Sequence, residues 1–145
     1  MRIIPYEEQY RDDMIFMVLS AKDALGRIPR LNEDLLDVKK HYWEAGTGFW
    51  LALDENGRVI GCVGYTLEDE PGAARLHRLY VKPALKRQGV GSALLETAET
   101  AMRARGIREA RVHLGEPREQ WFESYAFYPK HGYREFAPRW MRKEL

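Results

Sequence analysis

Cysteine is almost missing from this sequence. Cys62 is the only one, which excludes an internal disulfide framework and a cysteine-rich zinc site and fits a reducing, cytoplasmic setting. An excess of charge of one sign is missing too. The formal net charge is +1, so no global field draws the chain to nucleic acid or to a membrane, and its basic character is local. No apolar stretch approaches the roughly 20 residues that a membrane span needs, and the segment Met1 to Glu8 holds no apolar signal core. Internal repeats and low-complexity tracts are also absent. The 145 residues are read as one domain, 1–145, without a linker. What remains is a protein suited to a small anionic ligand rather than to DNA.

The stretch Leu79 to Arg105 stands out. Leu79, Tyr80 and Val81 end an apolar run, Lys82 to Gln88 form a loop with three positive charges, and Gly89-Val90-Gly91-Ser92 open a segment with apolar residues at Val90, Leu94, Leu95, Ala98, Ala101 and Met102. That spacing predicts a helix. The first turn of a helix leaves backbone N–H groups unpaired and carries the positive end of the dipole; two glycines there let a ligand come close to the main chain. Such a turn suits phosphate. A P-loop needs G-x-x-x-x-G-K-[ST], and no lysine follows Gly91. The dinucleotide fingerprint G-x-G-x-x-G needs a small residue where Leu94 stands and follows its strand directly, whereas seven residues separate Val81 from Gly89. Both readings fail. The plain structural alternative is a small-residue helix start packed on a sheet.

The rest of the chain supplies the frame. Arg2 to Ile4 reads as a strand ended by Pro5, and Tyr10, Met14, Met17, Val18 and Ala21 trace one face of a helix that ends near Gly26. After the break Gly26-Arg27-Ile28-Pro29-Arg30, Asn32 is the N-cap of a second helix through Leu35, Leu36, Val38, Tyr42 and Trp43. Asn56-Gly57 between two apolar runs, Phe49 to Asp54 and Arg58 to Leu67, predicts a hairpin. Gly61 and Gly64 inside it point to a bulge or a close backbone contact, and Cys62 is a small core hydrophobe. Glu68 to Gly72 is a solvated acidic turn into a strand over Ala73 to Val81. Gly106 caps the long helix, and a strand follows at Glu109 to Leu114. A strand–helix–strand crossover implies a parallel pair, hence an α/β or mixed sheet. Pro117 begins another helix, with Trp121, Phe122, Tyr125 and Tyr128 on a mostly core face. Two terminal strands follow, Gly132 to Phe136 and Trp140 to Leu145, the latter a candidate homodimer edge through Trp140.

Two motifs carry a family resemblance. Lys86-Arg87-Gln88-Gly89-Val90-Gly91 resembles the Gln/Arg-x-x-Gly-x-Gly/Ala loop that holds the acetyl-CoA pyrophosphate in the GCN5-related N-acetyltransferase (GNAT) superfamily, with Lys86 for the usual Gln or Arg. Phe127-Tyr128-Pro129-Lys130-His131-Gly132-Tyr133 resembles its second signature, an aromatic-Tyr pair followed by Gly and an aromatic, with Pro129 where a polar helix former is usual. The resemblance covers nearly the whole chain. It implies the acyl-CoA N-acyltransferase fold, an α/β (α+β) architecture whose mixed, mostly antiparallel sheet has a parallel pair around the cofactor loop and about four flanking helices. It implies acetyl-CoA as cosubstrate without a metal, held by Leu79, Tyr80, Val81, Lys86, Arg87, Gln88, Gly89, Val90, Gly91, Ser92 and Tyr128. The Leu79 N–H would be the oxyanion donor and Tyr128 would protonate the leaving sulfur. From periodicity alone, Tyr128 is equally a core aromatic.

The implied reaction moves an acetyl group to a primary amine of a small molecule or peptide. An alkyl ammonium with a pKa of about 10.4 costs roughly 4 to 5 kcal/mol to deprotonate at neutral pH. A thiolate leaving near about 8.5 needs less help, so Tyr128 matters less than the cofactor loop. In histone-acetylating members a Glu early in the strand is the base. The matching residue here is Arg75, which cannot accept a proton but is able to orient an acceptor carboxylate. His113, Glu116, Glu68 or ordered water remain as bases, each side chain also readable as a surface residue. Arg27 and Arg30, in the connection that covers the acceptor site in relatives, are candidates to grip an acidic acceptor or are ordinary surface arginines. Two rival functions remain: a non-catalytic acyl-CoA-binding module, suggested by Arg75 and Pro129, and a nucleic-acid-binding α/β domain, opposed by the net charge.

Overall fold

The computed structural model describes residues 1–28 and 30–145; the proline of the expected break after Gly26 lies outside the described residues. In chain order come β1 (Arg2–Pro5), α1 (Arg11–Ala24), β2 (Gly48–Leu53), β3 (Val59–Leu67), β4 (Ala73–Val81), α2 (Val90–Ala104), β5 (Glu109–His113), α3 (Phe122–Lys130), β6 (Arg134–Ala137) and β7 (Trp140–Glu144). The strands form one sheet in the order β1-β2-β3-β4-β5-β7-β6. Only β4 and β5 pair in parallel; the other neighbours are antiparallel. This is the mixed, mostly antiparallel architecture expected.

Local chemistry explains the hairpin. The Asp54 carboxylate accepts the backbone N–H groups of Asn56 and Arg58 at 2.9 and 3.0 Å, and Gly57 takes a φ of 75°, open to glycine at no steric cost. Strands β2 and β3 then run back to back through the core, because helices cover both faces. Helix α1 lays Met14, Met17 and Val18 against Phe49, Leu51 and Cys62, and α2 lays Leu94, Ala98 and Met102 against Ile60, Val63 and Leu76. Gly61 sets the distance between α2 and the sheet. A Cβ there would stand 2.7 Å from Leu94 Cδ1 and 3.0 Å from the Tyr80 carbonyl oxygen. The variant Gly61→Ala is therefore expected to lose about 1–3 kcal/mol to overpacking, read as a lower urea midpoint.

Several expectations need correction. Pro5 is the last residue of β1 rather than its end signal, tolerated because β1 is an edge strand. Residues 32–43 do not form one helix. A 3₁₀ turn at Glu33–Leu36 stops at Asp37, which has φ −145°, and a wide turn follows at Lys39–Trp43, where the Glu44 N–H reaches the Lys39 carbonyl. Asp37 itself causes the break: its carboxylate takes the Lys40 N–H, offering the backbone a partner outside the helix. Asn32 does not cap. Its side-chain oxygen accepts the buried Lys22 ammonium at 2.6 Å.

The acidic turn is not merely solvated either, since Glu68 pairs with Arg75 at 2.8 Å and Glu70 with Arg111 at 2.7 Å. On α3 only Tyr128 of the supposed core stripe is buried, and Phe122 is exposed. Trp140 is not at an edge. Strand β7 inserts between β5 and β6, and the Trp140 ring stacks on His113 with centroids 4.4 Å apart. Among the described residues no helix is long and apolar enough to cross a membrane.

Candidate active site

Strands β4 and β5 begin side by side and then part. Their pairing covers only Ala73 to Arg75 against Glu109 to Arg111, while β4 runs on to Val81. On its other side β4 bulges: Tyr80 pairs with Cys62 and His77 with Gly64, leaving Arg78 and Leu79 opposite Val63 alone. Arg78 takes a φ of 56°, a left-handed conformation uncommon outside glycine. Its own side chain holds it there. Arg78 Nε and Nη2 donate to the two Asp34 oxygens at 3.1 and 3.0 Å, the Tyr42 hydroxyl donates to the same carboxylate at 2.6 Å, and the Cys62 thiol donates to the Arg78 carbonyl at 3.1 Å. Burial alone would raise the Asp34 carboxyl, but the Arg78 and Tyr42 hydrogen bonds reverse that and hold it below its usual value. Burial pushes the Cys62 thiol up to about 12, so this cysteine is inert at neutral pH.

The gap between the strands opens into a cavity of about 1110 Å³. Leu79, Tyr80 and Val81 of β4 line it, as do Lys86, Arg87, Gly89, Gly91 and Ser92 of the loop and first turn, and Tyr128 of α3. The side chains of two other residues of the predicted cofactor turn do not line it: Val90 is in the core beneath α2, and Gln88 is exposed. Gly89, the residue before α2, has a φ of 84° and open space where a Cβ would go, and Arg87 is also left-handed at φ 65°. Lys86 Nζ donates to Glu123 Oε2 at 2.6 Å, which ties the loop to α3. Free main-chain donors at a helix start, open space over glycine and flanking cations together suit a diphosphate.

Tyr128 keeps its place despite Pro129. The helix runs through to Lys130, because the only N–H lost is the one that would reach Tyr125 in the last turn. Its hydroxyl has no hydrogen-bond partner among the described residues, and burial raises its pKa, so it stays protonated. Of the candidate bases, His113 lines the cavity. Glu68 and Glu116 do not; they are bound to Arg75 and to Arg139, the latter at 3.2 Å. The His113 pKa is lowered by burial, then by Arg139 and Arg75.

Arg27 also reaches the cavity, where its Nε and Nη2 hold the Gln120 carbonyl at 3.2 and 3.1 Å and its guanidinium lies 3.6 Å over the Trp121 ring. Arg30 does not line the cavity; its carbonyl accepts the Lys22 ammonium at 2.8 Å.

Sequence reasoning missed His77, Arg78 and Trp121 as cavity residues. His77 was within reach of it, because two-residue periodicity puts His77 on the same face of β4 as Arg75. Its Nε2 lies 2.8 Å from Thr66 Oγ1, and burial, then Arg75 and Arg78, bring its pKa down to about 4. Trp121 packs over Gly115, where any side chain would collide with the indole. Nothing local in the sequence signals that contact. Among the described residues no cluster of His, Cys, Asp or Glu is placed to hold a metal.

Comparison with known proteins agrees with this geometry. A spermidine N(1)-acetyltransferase from Thermoplasma acidophilum is 28% identical over 129 residues, covering 89% of this chain and 70% of that protein. Other curated relatives are matched over much less of their length, 38% and 29% in two cases. Among solved structures, a GNAT-family acetyltransferase from Staphylococcus aureus superposes with a TM-score of 0.89 at 21% identity, over 99% of this chain and 98% of that one. The PaiA N-acetyltransferase of Thermoplasma acidophilum, solved in complex with coenzyme A, gives 0.78 at 21% identity, over 99% and 98%. The model of the Acetyltransferase (GNAT) family matches residues 15–133, and the chain belongs to that family.

Proposed function

We propose that this protein transfers an acetyl group from acetyl-CoA to a primary amine of a small molecule or peptide. The observation that carries this reading is the parting of β4 from β5 beyond Arg75 and Arg111, directly beside the glycine-opened start of α2. The loop from Lys86 to Ser92 binds the diphosphate, and the cofactor brings the acetyl thioester. Unpaired main chain in the gap receives the pantetheine arm. The Leu79 N–H, within the bulge, donates to the carbonyl oxygen as negative charge develops there. The amine nitrogen bonds to the carbonyl carbon as the carbon–sulfur bond breaks; Tyr128 gives its proton to the sulfur, and His113, directly or through water, takes one from the amine.

Two results test the assignment. Isothermal titration with coenzyme A should give a 1:1 binding heat, and release of free thiol should require an added amine. The variant Tyr128→Phe should slow transfer about tenfold, less than the roughly hundredfold usual for a general acid, because the thiolate already leaves readily, with a smaller effect on coenzyme A affinity. Tight binding without turnover on any amine would favour the alternative, a non-catalytic acyl-CoA-binding module, for which Arg75 at the usual base position speaks. Spermidine, named for the Thermoplasma relative, is a poor candidate here: the one carboxylate on the cavity among the described residues, Glu123, is engaged by Lys86.

A further inference from the structure

The charge lining the cavity is lopsided. Among the described residues, Arg27, Arg75, Arg78, Lys86, Arg87 and Lys130 line it against the single carboxylate of Glu123. Most of these cations are accounted for. Asp34 holds Arg78 through two hydrogen bonds, Glu123 holds Lys86, Arg27 spends two donors on the Gln120 carbonyl, Arg87 flanks the phosphate turn, and Lys130 is solvent-exposed at the end of α3. Arg75 differs. It sits on β4 at the point where β4 and β5 part, remote in the strand from the phosphate loop, with its guanidinium over the Trp140 ring at 5.0 Å. Glu68 accepts a hydrogen bond only from its Nε, so neither terminal nitrogen has a hydrogen-bond partner among the described residues. A fork of two N–H donors fixed by an ion pair behind it and a ring beside it matches a carboxylate.

Resting on the acetyltransferase reading, we propose that the acceptor is an amine that also carries a carboxylate, an α-amino acid or a close analogue, and that Arg75 receives that carboxylate. The same field serves the chemistry. A cation near the acceptor nitrogen disfavours its ammonium form, so less work is left for a base. Burial first, and then the neighbouring arginines, lower the pKa values of His77 and His113, so His113 is free to accept the amine proton. A polyamine has nothing to offer Arg75 and brings further positive charge to a cationic wall.

Matched acceptors test this: L-amino acids, the corresponding amino acid amides, and spermidine, each assayed by thiol release from acetyl-CoA. The best amino acid should exceed its own amide about tenfold or more in kcat/KM, the worth of one charge-assisted contact, mainly through KM. Arg75→Gln should erase that preference by raising KM far more for the acid than for its amide, with coenzyme A affinity unchanged, and Arg75→Lys should restore part of it. Should no acceptor turn over, titration of N-acetyl amino acids and their amides into the coenzyme A complex reads the same preference. Equal use of acid and amide, a preference for spermidine, or discrimination that survives Arg75→Gln overturns the inference while leaving acetyl transfer standing. Failure of the wild-type protein to bind coenzyme A removes both.

Discussion

Replacing Gly91 with leucine is expected to weaken coenzyme A binding roughly a hundredfold or more while leaving the fold at least as stable. The two effects separate because of where Gly91 stands. It is the second residue of α2, lines the cavity, and has an ordinary helical backbone; a Cβ there would touch Phe127 at 3.4 Å and Val81 at 3.6 Å. Leucine is a better helix former than glycine by close to 1 kcal/mol, so the unfolding midpoint should hold or rise. The isobutyl group, however, would cover the first-turn N–H donors. Each charge-assisted hydrogen bond to phosphate is worth about 1.5–3 kcal/mol, so losing two weakens binding by roughly a hundredfold or more. Gly89→Val makes a useful contrast. Its φ of 84° suits no β-branched residue, so that variant should lose stability and affinity together. Coenzyme A heats unchanged in Gly91→Leu would refute the placement of the diphosphate.

How far the sequence foretold this site depends on the range of the interactions involved. The Asn56-Gly57 hairpin, the crossover from β4 to β5 and the glycine start of α2 were legible because each is written in a few consecutive residues. The bulge at Arg78 was not. It depends on Asp34, 44 residues away in sequence, and a left-handed arginine leaves no local signature. The broken segment after Asn32 misled because the apolar spacing of Leu35, Val38 and Tyr42 is helical; all three are indeed buried, but Asp37 interrupts the backbone between them. The position of β7 was equally hidden. That it enters between β5 and β6 is decided by pairing such as Val112 with Met141, and alternation alone cannot order strands. This matters for the site, because the insertion brings Trp140 against His113 and under Arg75.

That insertion rests on a buried carboxylate. Glu99 faces inward from α2 and is nearly inaccessible, at 4% exposure; it accepts the Tyr133 hydroxyl at 2.7 Å and the Lys143 ammonium at 3.0 Å, with Arg103 3.9 Å away. One side chain thus ties α2 to the residue before β6 and to β7. Glu99→Ala is expected to cost about 3 kcal/mol, because it strands a buried hydroxyl and a half-buried ammonium. For a chain of this size that lowers the thermal midpoint by roughly 10 °C. Lys143→Met should cost a similar amount, since it leaves the Glu99 charge with weaker company. The double variant Glu99→Leu/Lys143→Met removes both charges and should recover most of the loss, as replacement of a buried pair by apolar groups often does. Urea unfolding of the three proteins measures this. If the double variant is as unstable as the sum of the two singles, the carboxylate and the ammonium do not act as a pair, and packing alone holds β7 in the sheet. Hydrogen exchange adds the spatial test: in Glu99→Ala, protection should fall first in β6 and β7, while β2 and β3 keep theirs, because those central strands are clamped from both faces by α1 and α2.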